Sequence, residues 1–254
     1  MSQRTVAIVT GGSGGIGSAI CRMFARNGVD VAVHYHQAAK AAYSLSDELS
    51  TTGVAVRAVQ ADLTVESQVQ NMVSRVKQDF GQIDYLVNNA GWTRVVPEGS
   101  LSELDDATVD RILRLKVHAP LYCIRAARQF LAASSVACVV NITSAAGIAA
   151  RGSNHIYAAA NAALSTLTRS LARSLAPAIR VNSVAPGFVN TGFAWPTDGD
   201  MTRLVSENNY IGRVVEPDEV AVIVKFLCLD SLTVTGEEVA VDGGIGRLGK
   251  APGK

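Results

Sequence analysis

Short, almost wholly apolar runs alternate with longer amphipathic stretches from one end of the chain to the other. Runs that are apolar throughout are typical of parallel strands covered on both faces, and their alternation with helices predicts a doubly wound parallel sheet with right-handed crossovers. We therefore expect one α/β domain over residues 1–254, ending in a flexible tail at 250–254. The predicted strands are Thr5–Val9, Val29–Val33, Val54–Val59, Ile83–Val87, Ala137–Ile142, Arg180–Val184 and Glu238–Val241.

Six helix-like segments lie around these strands. Asn27-Gly28 is typical of the end of the first helix, and Pro120, inside the longest segment, predicts a kink or an irregular turn. The least regular stretch is Gly187–Gly212, for which we expect a lid or binding loop, with a variable surface excursion as the alternative. The predicted helices span 16–27, 38–51, 65–79, 102–130, 155–175 and 216–229.

Composition excludes several classes of protein. Apolar residues make up 48% and charged residues 18% of the chain, as in globular proteins. The net charge of +1 does not indicate a basic surface for binding nucleic acid or an anionic membrane. The four cysteines are scattered without metal-ligand spacing, so we expect small buried side chains of a reducing compartment and no metal site. With neither a signal peptide nor a membrane span in view, the expected location is cytoplasmic.

A glycine-rich segment, Thr10–Gly17 (TGGSGGIG), connects the first strand to the first helix. Gly11, Gly15 and Gly17 allow a tight turn, close approach of the backbone to a pyrophosphate and close packing of the helix on the strand. Such a turn can also merely reverse the chain, but its position at the start of an α/β pattern favours a nucleotide. Because no Lys-Ser/Thr pair follows the glycines, a nucleotide-hydrolysing P-loop is disfavoured.

Two further polar segments follow apolar strands. Asp62 comes after the third strand, where its carboxylate can accept a hydrogen bond from an adenine amino group; an Asp before a helix is also an ordinary N-cap. Asn88-Asn89-Ala90-Gly91 closes the fourth strand, and these residue types tolerate unusual backbone angles beside a ligand or in a simple turn. Both segments fit a nucleotide site, and both alternatives stay open.

Ser144 and Tyr157, thirteen residues apart, complete an ordered set of motifs. The others are Thr10–Gly17, Asp62, Asn88–Gly91, Pro186-Gly187, Gly236 and Val241–Gly244. Over about residues 4–246, this set resembles the short-chain dehydrogenase/reductase family, and within it the group of 3-oxoacyl-carrier-protein reductases. The resemblance implies a single-domain Rossmann-type sheet of about seven strands, NAD(P) binding and a homotetramer or homodimer.

The end of the second strand distinguishes NAD from NADP in the family that the chain resembles. NAD-preferring members carry an acidic residue there, which accepts a hydrogen bond from the ribose 2′-hydroxyl. Here the segment reads Val33-His34-Tyr35-His36-Gln37, so His34 or His36 can hydrogen-bond a 2′-phosphate unless both face solvent. Gly14 stands where NADP-preferring relatives often have arginine. We expect NADP(H), with NAD(H) as the alternative.

The resemblance also implies four catalytic positions. The family's tyrosine, which donates a proton to the carbonyl oxygen during reduction, corresponds to Tyr157, and the serine that orients this oxygen corresponds to Ser144. The lysine that normally follows the tyrosine by four residues is Asn161 here, and the supporting asparagine of the preceding long helix is Lys116. Two positions match, and the other two are exchanged.

The exchange leaves three interpretations, because a phenol with a pKa of about 10 is a poor base at neutral pH without a nearby cation. In the first, Lys116 is a relocated cation, Asn161 binds the ribose or a water, and the chain reduces a ketone to a secondary alcohol with NADPH. In the second, Ser144 and Tyr157 carry out altered chemistry in the same pocket. In the third, the chain is a nucleotide-binding pseudoenzyme or partner subunit. The non-functional alternative for Lys116 is a solvated lysine on a helix face.

Residues after the sixth strand complete the predicted site. Pro186-Gly187 and Thr191 match positions that flank the nicotinamide in the family. The loop side chains of Phe193, Trp195 and Met201 predict an apolar lid over a small carbonyl substrate, or a surface for subunit packing. The residues expected to contact the cofactor are Gly11, Ser13, Gly14, Gly15, Ile16, Gly17, His34, Tyr35, His36, Asp62, Leu63, Asn89, Ala90, Gly91, Tyr157, Asn161, Pro186, Gly187, Val189 and Thr191.

Overall fold

The computed structural model describes residues 4–194 and 199–251, and its strands form one parallel sheet. The strands are β1 (Val6–Val9), β2 (Asp30–Tyr35), β3 (Val56–Gln60), β4 (Tyr85–Asn88), β5 (Cys138–Ile142), β6 (Arg180–Pro186) and β7 (Glu238–Val241). Their order across the sheet is β3-β2-β1-β4-β5-β6-β7, and every neighbouring pair is parallel. The prediction of a Rossmann-type doubly wound fold is confirmed.

Helices cover both faces of this sheet, because alternate residues of each strand point to opposite sides. In β1, Ala7 and Val9 belong to one buried apolar cluster, whereas Val6 and Ile8 belong to the other. The first cluster includes residues of the first two helices, and the second includes residues of the third. The helices are α1 (Gly15–Arg26), α2 (Ala39–Ser50), α3 (Glu66–Phe80), α4 (Asp106–Leu113), α5 (Ala119–Leu131), α6 (Ala145–Ala149), α7 (His155–Leu175), α8 (Gly199–Asn208), α9 (Pro217–Lys225) and α10 (Ile245–Leu248).

The strand order reverses at β1, which pairs with β2 on one side and with β4 on the other. The connections that leave the carboxyl ends of β1 and β4 therefore diverge to opposite faces and leave a crevice between them. In open parallel sheets this switch point is where ligands bind. The glycine-rich segment follows β1 and the Asn-Asn-Ala-Gly segment ends β4, so the fold brings both predicted nucleotide segments to the same crevice.

The predicted helix 102–130 is two helices, α4 and α5, joined by a wider π-type turn over Arg114–His118. The irregularity predicted at Pro120 is confirmed, but it lies just before the proline. Pro120 has no N–H to donate to the carbonyl of Lys116 four residues earlier, so a regular α-helix cannot continue through this point. The widened turn carries Lys116, whose side chain is buried at 3% exposure.

The irregular stretch predicted over Gly187–Gly212 contains a helix, α8, and the prediction was wrong there. Gly, Pro, Asp and Asn crowd the segment, but an acidic residue, Asp200, falls in the first helical turn, where it suits the helix dipole. Trp195, predicted as part of the lid, lies outside the described residues.

The end of the chain was predicted to be a tail over residues 250–254. Ala251 N–H donates to the Asn208 carbonyl at 3.0 Å, and the Tyr210 hydroxyl lies 3.5 Å from the Lys250 carbonyl oxygen. The first two residues of the predicted tail are thus attached to the end of α8, and residues 252–254 lie outside the described ranges.

The four cysteines are buried and unbridged, in agreement with their predicted role as small core side chains. Among the described residues, no helix combines the length and the apolar character that crossing a bilayer would need.

Candidate active site

A cavity of about 920 Å³ occupies the crevice at the carboxyl ends of the strands. Its walls contain every residue expected to contact the cofactor except Asn161, together with the catalytic candidates Ser144, Tyr157 and Lys116. Phe193 and Met201 of the predicted lid also line it. Nucleotide-binding and catalytic candidates that lie far apart in the sequence therefore share one cavity.

Close packing explains two of the glycines at the nucleotide end. A methyl group on Gly17 would overlap the carbonyl oxygen of Gly11, a backbone atom that cannot move aside. Gly11 itself has φ of +61°, in the left-handed region that favours glycine. The turn therefore brings the first turn of α1, whose N–H groups have no acceptors within the helix, to the cavity wall. Such a helix start is a ready site for a pyrophosphate, so these residues fit a dinucleotide.

His34 anchors this glycine turn. Its Nδ1 accepts from Gly11 N–H at 2.9 Å, and its Nε2 lies 3.1 Å from the Ala61 carbonyl oxygen, which identifies Nε2 as the protonated nitrogen. Burial lowers the pKa of His34 to about 4, so the ring is neutral. The expectation that His34 binds a 2′-phosphate is wrong, since both ring nitrogens already have backbone partners. The alternative that it faces solvent is wrong as well, because its exposure is 2%.

Side chains beside the turn connect neighbouring strand ends. Asn89 Nδ2 donates to the carbonyl oxygens of Thr10 and Gly11 at 2.9 and 3.1 Å, and the Thr10 hydroxyl accepts from Asn89 N–H at 2.9 Å. Asp62 accepts from the backbone and hydroxyl of Thr64 through Oδ1, and these hydrogen bonds help to lower its carboxyl pKa despite the opposing effect of burial. Its other oxygen, Oδ2, lies 4.0 Å from the half-exposed His36. Asp62 therefore caps the turn before α3 and still lines the cavity.

Ser144 and Tyr157 are held by caps of two helices. Ser144 Oγ accepts from Ala146 N–H at 3.2 Å at the start of α6, directly after β5. Asn154 Oδ1 accepts from Tyr157 N–H at 2.7 Å at the start of α7, and Asn154 Nδ2 donates to the Arg94 carbonyl at 2.7 Å. Both side chains thus come from helix starts, where the backbone is well fixed.

Burial raises the pKa of Tyr157, while hydrogen bonding from Ser144 and Asn161 opposes this effect. The net direction is upward, so the phenol keeps its proton at neutral pH. A protonated phenol suits a proton donor better than a base. The ring of Phe193 lies 6.3 Å from the Tyr157 ring and contributes to the apolar surroundings.

Lys116 lies inside the site rather than in solvent. Its Nζ donates to the Ile142 carbonyl at 2.8 Å and lies 5.9 Å from the centroid of the Tyr157 ring. Gly91 makes room for it, because a methyl group there would come within 3.3 Å of Lys116 Cδ. Burial lowers the pKa of Lys116 to about 8, so most of the ammonium remains charged at pH 7. The alternative of a solvated surface lysine is wrong.

Asn161 lies behind Tyr157, not in the cavity wall. It is fully buried, and its Nδ2 donates to the Tyr157 backbone carbonyl at 2.8 Å. Its Oδ1 is buried without a hydrogen-bond partner among the described residues. Asn161, whose side chain is shorter than the lysine typical of this position in the family, therefore does not line the cavity in which the ribose contact was expected.

Several cavity residues have no counterpart among the predicted site residues. Arg111 stacks over the Trp92 ring with 4.1 Å from guanidinium carbon to centroid, and Glu98, Arg151 and Lys250 also line the cavity. No motif marks these residues: Arg111 lies on α4, and Glu98, Arg151 and Lys250 lie in connecting segments whose paths the sequence does not reveal. Among the described residues, no group of three His, Cys, Asp or Glu side chains is arranged to hold a metal ion.

Comparison with known proteins agrees with this geometry. A family model described as Enoyl-(Acyl carrier protein) reductase matches residues 11–246. The cis-4-hydroxycyclohexanecarboxylate dehydrogenase of Sinomonas cyclohexanicum is 34% identical over 241 residues, which cover 94% of this chain and 95% of that protein. The 3-oxoacyl-[acyl-carrier-protein] reductase of Staphylococcus epidermidis is 31% identical over 241 residues, covering 94% and 98%.

A solved structure gives the same picture. The short chain dehydrogenase of Burkholderia cenocepacia, crystallised in complex with NADP, is 33% identical and superposes with a TM-score of 0.87, covering 96% of this chain and 98% of that one. Fold and site together define a nucleotide-dependent oxidoreductase. The chain belongs to the short-chain dehydrogenase/reductase family, whose members use NAD(P).

The Gly17–Gly11 contact leads to a first prediction. Gly17→Ala should weaken NADPH binding at least tenfold and lower the free energy of unfolding by about 2 kcal/mol, because the added methyl group must displace the backbone of the glycine turn. NADPH fluorescence titration and chemical denaturation measure the two effects. Gly99→Ala, outside the cavity wall, is the matched control, since its methyl group would meet no atom within 4 Å. Equal cofactor affinity in the two variants would contradict the packing argument.

The burial of Lys116 leads to a second prediction. Burying the charged lysine lowers its pKa from the ordinary 10.5 to about 8, which costs on the order of 3 kcal/mol of folding free energy. Removing the lysine would remove this cost, but it would also leave the Ile142 carbonyl without a donor, at a cost of about 1 kcal/mol. Lys116→Met should therefore stabilise the protein by about 1–2 kcal/mol at pH 7.

The sign of the pH dependence follows from the same values. The unfolded lysine is protonated up to pH 10.5 and the folded one only up to about pH 8, so the penalty is fully present below pH 8 and disappears between pH 8 and 10.5. The stability gain of Lys116→Met, measured by urea denaturation, should shrink across that interval. A variant that is less stable than the wild type at pH 7 would contradict the interpretation.

Proposed function

We propose that the protein reduces a ketone to a secondary alcohol with NADPH. The observation that carries this proposal is the single cavity that joins the glycine turn at one end to Ser144, Tyr157 and a buried ammonium at the other. The relatives support it: one is a dehydrogenase of a cyclic hydroxy acid, one is a 3-oxoacyl reductase, and one was crystallised with NADP. When bound, NADPH supplies the hydride.

Tyr157 is the proposed proton donor to the carbonyl oxygen of the substrate. Its raised pKa keeps the phenol protonated, as a donor requires. Ser144 is the proposed second contact to the same oxygen and orients it toward the phenol. The Ser144 hydroxyl is available for this contact because its link to the Pro186 carbonyl is long, at 3.5 Å.

Lys116 is the proposed cation of the site, in place of the lysine missing at position 161. Lys116 Nζ lies 5.9 Å from the centroid of the Tyr157 ring. A unit positive charge about 6 Å from a phenolate oxygen favours the phenolate by about 3 kcal/mol at an effective dielectric constant near 20, which is about a hundredfold in the acid dissociation constant. That help is needed because burial acts in the opposite direction. Asn161 is the proposed partner of Tyr157 and, through its unpaired Oδ1, of a water molecule; we do not assign it the contact with the nicotinamide ribose.

NADP is the proposed cofactor in preference to NAD. The end of β2 presents Tyr35 and His36 to the cavity and no carboxylate, so a 2′-phosphate meets no repulsion from that segment. The His36 ring is half-exposed, with its Nε2 4.0 Å from Asp62 Oδ2, and it lines the cavity. With His34 committed to Gly11, His36 is the remaining histidine candidate for the phosphate.

We also infer a homotetramer or homodimer. On and just after α9, the apolar side chains of Val222, Phe226 and Leu232 are 60%, 45% and 63% exposed, a pattern typical of a subunit contact.

A second candidate function is nucleotide binding without ketone reduction, or altered chemistry in the same pocket. The raised pKa of Tyr157 favours it, because a phenol that ionises less readily is less active than one beside a lysine at position 161.

A swap experiment separates these candidates. Lys116→Met should lower kcat for reduction of a ketone panel at least a hundredfold and leave NADPH affinity within a few fold, because the ammonium acts on the phenol. Lys116→Asn combined with Asn161→Lys restores the family arrangement and should recover at least a tenth of the wild-type kcat. Lys77→Met on α3, outside the cavity, is the control for loss of one positive charge.

Full activity of Lys116→Met would refute the relocated-cation role. NADPH binding without turnover in the wild type, with turnover gained in the double variant, would establish the nucleotide-binding alternative.

The pH dependence supplies a further prediction. Reduction needs the protonated phenol and the charged ammonium, so kcat/KM should fall as pH rises through about 8, where Lys116 loses its charge. Alcohol oxidation needs the phenolate, whose formation burial opposes, so its optimum should be alkaline. Stopped-flow rates between pH 5 and 10 test both, and the fall near pH 8 should be missing in the residual activity of Lys116→Met. An oxidation profile already flat below neutral pH would count against the assignment.

A further inference from the structure

Two side-chain cations stand at the substrate end of the cavity, Arg151 and Lys250. Arg151 precedes Gly152, where an added methyl group would lie 3.8 Å from Tyr157 Cδ1, so the arginine enters the cavity wall beside the phenol. Lys250 belongs to the C-terminal segment, where a methyl group added to Gly246 would lie 3.3 Å from Cβ of Ala145, the residue after Ser144. The two cations thus approach the catalytic pair from two different segments.

Neither cation is neutralised by the protein. Some other arginines of this chain are paired with carboxylates, such as Arg22 with Glu48 at 2.7 Å and Arg213 with Glu219 at 2.7 Å. Within residues 4–194 and 199–251, Arg151 and Lys250 form no ion pair, and their side chains donate no hydrogen bond to another group. An arginine fork lining a cavity with its donors unused is suited to a carboxylate, which it can bind through two parallel hydrogen bonds.

The backbone before Arg151 supports a positioned side chain. Ala150 has φ of +54°, the only positive value at a residue other than glycine within the described ranges. This conformation costs free energy for alanine and ends α6 directly before Arg151. Strain of this kind persists where the surrounding structure requires a particular direction of the chain.

The charge at this end also limits the ligand. Glu98, which lines the same cavity and forms no ion pair among the described residues, contributes one negative charge. Arg151 and Lys250 contribute two positive charges and Lys116 contributes a third beside Tyr157, so this end of the cavity is net positive and suits an anionic group on the ligand. Asp62, the other acid in the wall, lies at the nucleotide end with Thr64 and His36.

We propose that the substrate is a keto acid whose carboxylate binds Arg151, assisted by Lys250, while its ketone faces Ser144 and Tyr157. This inference rests on the proposed ketone reduction and names the substrate class of the same site. Arg151 is a specificity-determining residue for the anionic group and takes no part in the proton transfer.

The test compares linear and cyclic keto acids with their methyl esters, which keep the ketone and lose the charge. Wild-type kcat/KM with NADPH should be at least tenfold higher for the acid of the best pair. Arg151→Gln should remove this preference by raising KM for the acid ten- to a hundredfold, with kcat and the ester kinetics nearly unchanged. Arg151→Lys should retain part of the preference, because it keeps the charge and loses the fork.

Two further variants distinguish electrostatics from general damage. Glu98→Gln removes a repulsive charge, so it should lower KM for the acid about two- to fivefold, opposite in sign to Arg151→Gln. Arg169→Gln, on an exposed face of α7 outside the cavity, is the charge-matched control and should leave both substrates unchanged. An equal loss for acid and ester in Arg151→Gln, or no acid preference in the wild type, overturns the proposal.

A binding measurement keeps this proposal separate from the proposed reduction. Ligand-observed NMR on the protein saturated with NADP⁺ reports acid and ester affinities without turnover. Acid binding that exceeds ester binding and is lost in Arg151→Gln supports the anion site even if no ketone is reduced, a result that would reject only the reductase function. Equal binding of acid and ester rejects the anion site even if both are reduced.

Discussion

The parallel pairing of β1 with both β2 and β4 is the constraint on which the site depends. Parallel strands present all their carboxyl ends at one edge, and the reversal of strand order at β1 separates the connections there, so a cavity forms without any special side chain. The glycine turn follows β1, the asparagine turn follows β4, and Ser144 follows β5. Once this pairing is set, residues 11, 89 and 144 have to meet, whatever chemistry they perform.

Much of this arrangement can be predicted from the sequence, because it depends on local patterns. Apolar runs of strand length fix the sheet, and glycines that must avoid a Cβ, such as Gly17, mark the turn that a nucleotide approaches. Helix α8 was missed because its ten residues, Gly199–Asn208, are polar on average and lie among turn formers, so that local composition resembles a loop.

The roles of His34, Asn161 and Lys116 are harder to predict, because each depends on partners that only the fold supplies. His34 becomes a neutral anchor because Gly11 N–H and the Ala61 carbonyl lie on either side of its ring. Asn161 lies behind Tyr157 because its short side chain donates to the backbone carbonyl of Tyr157, one helical turn earlier. Lys116 is drawn inward because the Ile142 carbonyl at the end of β5 offers an acceptor. None of these backbone partners is visible as a residue type in the sequence.

The two ends of the cavity carry positive charge of two different kinds. At the nucleotide end, the backbone N–H groups at the start of α1 provide a partial positive charge that does not depend on pH. At the substrate end, the charge belongs to Arg151 and Lys250, and between the two ends Lys116 has only a neutral carbonyl as its partner. An isolated buried ammonium is costly, which is the cause of its lowered pKa. Anions bound at either end would offset that cost and favour the protonated amine, and by reciprocity the protonated amine would favour the anions. The ammonium that the proposed chemistry needs is therefore most stable when the cavity is filled.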